Sequence, residues 1–129
     1  MSRLELKSSE DGALLTFTIT QKSEDCIDFD VRVKTPFFTG TAPSSTFMAV
    51  PLEVWFRSMA LDWTGWANEK RWEDLESRVS LSATSDSTGH IRITVTLTGD
   101  DYDTHLRANL MFEAGQLEGM ADDVANFFA

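Results

Sequence analysis

The stretch that decides the fold class is Cys26-Ile27-Asp28-Phe29-Asp30-Val31-Arg32-Val33-Lys34-Thr35. Ile27, Phe29, Val31 and Val33 alternate strictly with Asp28, Asp30, Arg32 and Lys34. A period of two places the apolar set on one face of a strand and the charged set on the other, so the sheet has one buried and one wet face. Upstream the same pattern appears in Leu15, Phe17 and Ile19 against Thr16, Thr18 and Thr20, and Leu4 and Leu6 start a short strand. Pro36 closes the deciding strand. The extended segment around Phe37 to Met48 carries Gly40 and Pro43, which predicts an irregular or edge position.

Further along, the period changes to that of a helix. Pro51 suits a first helical turn, where its missing N–H has no partner to lose. Leu52, Trp55, Phe56, Met59 and Trp63 follow at steps of three and four as one stripe, with Gly65 as the expected stop. Strands resume with Val79, Leu81 and Ala83, then Ile91, Ile93, Val95 and Leu97, then Leu106, Ala108, Leu110 and Phe112. Ser85–Gly89 and Gly99–Asp103 read as hairpin turns. The last segment is a second amphipathic helix, with Leu117, Met120, Ala121, Val124, Phe127 and Phe128 on one face.

Short turns between alternating strands mean antiparallel pairing, because parallel strands need long crossovers. Each helix has one apolar stripe and the sheet one apolar face, so both helices are expected on that face. The expectation is a single α+β domain over residues 1–129, with a meander-like antiparallel sheet of about six or seven strands and two helices on one side. No internal repeat, linker or low-complexity tract is visible.

Composition narrows the function classes. The chain has 129 residues, 42% of them hydrophobic, which is enough for a substantial core. No apolar run approaches the roughly 20 residues of a membrane span, and the N-terminal stretch lacks the apolar region of a secretory signal. With Cys26 as its single cysteine the chain has no internal disulfide, which favours a reducing, cytoplasmic setting. The net charge of −10 opposes nucleic acid and favours a basic protein partner.

Catalytic chemistry finds little footing. His90, His105 and Cys26 lie in separate segments without metal-ligand spacing, so no metal or cofactor is implied. Glu24, Asp25 and Asp28 surround Cys26 in sequence, and neighbouring negative charge disfavours a thiolate nucleophile. No nucleophile elbow, phosphate loop or dinucleotide fingerprint occurs. His90 follows the hairpin Gly89, where its ring can bond a loop carbonyl or carboxylate, and His105 is placed to pair with Asp101 or Asp103. Of the tryptophans, Trp55 and Trp63 are expected in the core. Trp66 is expected to plug the end of the core, with Lys70 or Arg71 stacked on a ring, and Trp72 is either a second plug or an exposed anchor.

The run from Asp62 to Thr98 joins a helix end to Trp63, Gly65 and Trp66, then Trp72 and Leu75, then a hairpin with Asp86, Gly89 and His90. With the terminal Phe127-Phe128 helix, it resembles a family of small bacterial proteins of unknown function (family of unknown function 6228) over nearly the whole chain. More loosely, the order of elements is similar to that of immunity proteins against wall-associated toxins (WapI-type). That second resemblance implies binding rather than catalysis.

Two expectations for function follow. One is a non-enzymatic binding protein of immunity type, whose acids Asp100, Asp101 and Asp103 with the Asp28/Asp30 row meet a basic toxin-like surface. The alternative is a small-molecule binder or unrecognised enzyme with a pocket near Trp66, Trp72, Arg71 and His90. A homo-oligomer joined through the Thr/Arg sheet face or an edge strand is a further option.

Overall fold

The computed structural model describes residues 2–129. Four strands come first: β1 (Arg3–Lys7), β2 (Leu14–Lys22), β3 (Ile27–Lys34) and β4 (Thr39–Ser45). Helix α1 (Leu52–Leu61) follows, then β5 (Lys70–Glu73), β6 (Val79–Ser85), β7 (His90–Thr98) and β8 (His105–Glu113). A 3₁₀ turn at Ala114–Gln116 leads into α2 (Leu117–Phe127).

The strands form two four-stranded antiparallel sheets, ordered β1-β2-β3-β4 and β5-β6-β7-β8. The α+β class and antiparallel pairing expected from sequence hold, but a single sheet of six or seven strands does not. One reason is α1, which breaks the meander between β4 and β5. Another is β5, four residues with Trp72 as its one buried side chain, too short to show alternation. Four strands followed by a helix therefore occur twice, although the sequence shows no repeat. Helices α1 and α2 pack on each other, and each also touches the first strand of the other half, α1 on β5 and α2 on β1.

The inner rows of both sheets and the buried stripes of both helices share one continuous core. The alternation in β3 is realised as read, with Ile27, Phe29, Val31 and Val33 buried. Phe17, Phe29 and Phe128 meet edge to face, with Phe29 and Phe128 centroids 5.1 Å apart, which anchors the end of α2 on the first sheet. Strand β4 is an edge, as its glycine and proline imply, and it touches β6 and β7. Gly40 marks the closest approach: a Cβ there would lie 2.7 Å from Leu106 Cδ1. On the other side the β1–β2 turn caps β8, where the Ser8 hydroxyl accepts from Met111 N at 3.0 Å and Ser9 N donates to Met111 O at 2.7 Å.

Helix α1 ends at Leu61, four residues before Gly65, and Pro51 is its N-cap rather than a residue of its first turn. Leu52, Trp55, Phe56 and Met59 are buried, but Trp63 lies beyond the helix end and is 62% exposed. The expectation of a core Trp63 is therefore corrected: its position continues the stripe only if the helix continues. Among the described residues no helix is long and apolar enough to cross a membrane.

Candidate functional site

The ends of the two sheets meet where β4 passes the turn between β5 and β6. Asp74, in that turn, is buried. Its Oδ2 accepts from the Ser44 hydroxyl of β4 at 2.7 Å and its Oδ1 accepts from Arg78 N at 2.8 Å. The carboxylate thus closes its own turn and ties the turn to the other sheet. Arg78 sends its side chain along the end of β7. Nε donates to Thr98 O at 2.9 Å, Nη2 meets Asp100 Oδ1 at 2.6 Å, and the guanidinium carbon lies 5.8 Å from the Tyr102 ring centre.

Beside this junction a cleft of about 530 Å³ opens between the β3–β4 pair and the β5–β6 turn. Asp28, Asp74 and Glu76 are among its lining residues, with Arg78 as the lining residue of opposite charge. Phe47 and Leu75, about half exposed, give it apolar lips. A register slip between Ile19 and Gln21 of β2 sets Thr20 on its wall, and Cys26, just before β3, also lines it. Bulges commonly re-aim side chains beside functional clefts in this way.

The sequence-derived candidates divide between two ends of the second sheet. Asp100, Asp101 and Asp103 occupy the β7–β8 turn at the cleft end, joined to it through Arg78. Asp101 staples that turn by accepting from Asp103 N and Thr104 N, both at 3.0 Å, and from the Thr104 hydroxyl at 2.8 Å. The Asp103 N–H, then the Thr104 hydroxyl, hold the Asp101 carboxyl down at about 2. Asp101 is therefore structural, while Asp100 neutralises Arg78.

Trp66 and His90 lie at the opposite end, by the β6–β7 turn. Trp66 is half-buried against the core and donates from Nε1 to Ala83 O at 3.2 Å. Lys70 sits 5.3 Å above its ring and pairs with Asp62 at 2.7 Å, so the stacking cation is Lys70. Arg71 points away, 3.5 Å from Glu69. Trp72 is buried, its indole donating to Val50 O at 2.6 Å, which removes it as an exposed anchor. None of Trp66, Trp72 and His90 lines this cleft.

His90 belongs to a turn organised by Asp86, whose Oδ1 accepts from Thr88 N at 2.8 Å and from His90 N at 2.9 Å. Gly89, at φ +86°, supplies the left-handed step of this turn. Nδ1 of His90 is 3.1 Å from Asp86 Oδ2 and 2.8 Å from Thr88 Oγ1; a carboxylate only accepts, so Nδ1 carries the proton. Both hydrogen-bond partners converge on Nδ1, while Nε2 faces a second carboxylate, Glu113, at 3.7 Å, which is not the arrangement of a relay through the ring from acid to nucleophile. His105 Nδ1 is 3.1 Å from Thr98 Oγ1 and not on an aspartate, which corrects the expected pairing. Among the described residues no three His, Cys, Asp or Glu side chains converge as a metal site.

The hydrogen bond to Asp86, with the nearby Glu113 charge, raises the His90 pKa above its usual value. A raised folded-state value stabilises the fold below the unfolded value of about 6.5, and the contribution disappears as pH rises through the folded value. His90→Ala is accordingly expected to be less stable than the wild type at pH 5.5, with the ion-pair part of the difference gone by about pH 8.5. Urea unfolding at the two pH values checks this, and an equal difference at both would contradict it.

Residues 6–129 match the family described as Family of unknown function (DUF6228). The chain belongs to this family. No curated protein matches it. The resemblance read from the tryptophan-bearing run and the Asp86–His90 hairpin is thereby confirmed. In the structure those marker residues divide into core (Trp72), core edge (Trp66), the segment after α1 (Trp63, exposed, and Gly65), the β6–β7 turn and the start of β7 (Asp86, Gly89, His90) and cleft lip (Leu75).

Of the residues that line the cleft, the sequence reading singled out Asp28 and passed over Asp74, Arg78, Ser44 and Phe47. The cleft draws on Thr20 and on residues within 26–29, 43–47 and 74–78, which are separate segments of the chain. The only local cue is a cation, Arg78, closing the acid-rich run Glu73, Asp74 and Glu76.

Proposed function

We propose that this protein is a non-enzymatic binding protein of immunity type, which docks a basic protein partner at its acidic cleft end. The observation that supports this reading is the convergence of acids from both halves. Asp28 of the first sheet and Asp74 and Glu76 of the second line one cleft, with the Asp100–Asp103 turn beside it. With a net charge of −10, this end attracts a cationic surface, accelerates encounter and penalises acidic competitors. The Phe47 and Leu75 lips provide the apolar contact that charge alone lacks.

The test compares wild type with an Asp28→Asn, Glu76→Gln, Asp103→Asn variant as bait for proteins of the native cell, at low and high salt. None of the three substituted acids makes an ion pair among the described residues, so the variant is expected to fold. The expected result is a basic protein held by wild type at low salt, weakened at high salt, and bound at least about tenfold less by the variant. Retention by both baits alike, or by neither, counts against the proposal.

A further inference from the structure

Resting on that docking reading, we infer that the cleft receives one arginine or lysine side chain from an extended segment of the partner, together with an apolar residue beside it.

The cleft already holds one cation, and that cation is spent. Arg78 is paired with Asp100, bonded to Thr98 O and set near Tyr102. The acids of the cleft are not spent. Asp28 and Glu76 make no ion pair among the described residues. Asp74 is only 7% exposed, yet its two bonds come from neutral donors, a hydroxyl and a backbone N–H. A buried carboxylate with neutral partners alone still favours a nearby positive charge.

The shape of the cleft narrows the cation further. Phe47 and Leu75 leave apolar surface at its mouth, 49% and 54% exposed. The methylene stem of arginine or lysine covers such surface while its head reaches carboxylates. At about 530 Å³ the cleft also has room for a neighbouring apolar side chain against the same lips. A free polyamine carries the cation but not that neighbour, so the cleft fits a peptide better.

Amide-resolved NMR titration of the full chain tests this with three probes: a blocked leucine–arginine–leucine tripeptide, its citrulline counterpart, and spermidine. The expected result is saturable shifts centred on Asp28, Ser45, Phe47 and Glu76 with the arginine peptide. Binding should weaken by about tenfold or more with neutral citrulline. Phe47→Ser with Leu75→Ser, both on exposed positions, should weaken the peptide several-fold and leave spermidine unchanged.

Equal binding of citrulline and arginine, spermidine matching the peptide, shifts confined to Asp101–Asp103, or no shifts at millimolar peptide would each overturn the inference. If the captured partner still prefers wild type over the acid-neutralised bait while the peptide avoids the cleft, the docking reading stands and this inference alone is lost.

Discussion

Trp72→Ala is expected to lower stability by about 3–5 kcal/mol, the range for deleting a large buried aromatic. Trp72 is the one buried side chain of β5, so its ring is the main apolar attachment of that edge strand to the core. Its indole also donates to Val50 O at 2.6 Å, fixing the chain just before α1 begins. Truncation therefore leaves a cavity, loosens β5 and leaves a carbonyl unpaired at the entry to α1. Trp72→Phe, which keeps most of the ring and loses the hydrogen bond, should cost about 1–2 kcal/mol. Urea unfolding of the two variants separates the contributions. A loss below about 1 kcal/mol for the alanine variant would mean that β5 is held by other contacts.

The second large effect is at Asp74. Asp74→Ala is expected to cost about 2–3 kcal/mol, since bonds to a charged acceptor are worth more than neutral ones and their donors are left with no partner. The Arg78 N–H and the Ser44 hydroxyl both lose the same carboxylate. Because Ser44 belongs to β4 and Arg78 precedes β6, the change acts on the junction of the two sheets and on the cleft wall. Ser44→Ala removes one of the two bonds and should cost about 1 kcal/mol. Equal losses in the two variants would place the whole effect in the contact between sheets and none in the turn.

Much of the architecture was legible because alternation and helical stripes are local. The inner rows of β2, β3, β6 and β7 and the stripe of α2 could be read directly, and the antiparallel pairing followed from short turns. The division into two sheets could not, because it depends on how β4 and β5 end and on α1 between them, which no periodicity reports. Trp63 shows the same limit at one residue: its spacing continues the α1 stripe, but the helix stops at Leu61 and the ring turns outward. Of the cleft's acids only Asp28, on the wet row of a strand, stood out in the sequence. Asp74 looks in sequence like one more solvated acid in a turn, and its burial arises from β4, thirty residues away in the pair with Ser44. His90 was correctly placed for a carboxylate partner, and its turn-building role became clear with the bonds around Asp86.

The most direct measurement of the central claim is hydrogen exchange of this protein alone and with the basic partner it captures. Docking at the cleft end predicts new protection in Ser44–Met48, the Asp74–Arg78 turn and the Gly99–Asp103 turn, with the Asp86–His90 turn unchanged. Protection centred on the outer α1–α2 face or on the Asp86–His90 turn, with the cleft segments exchanging as before, would contradict it.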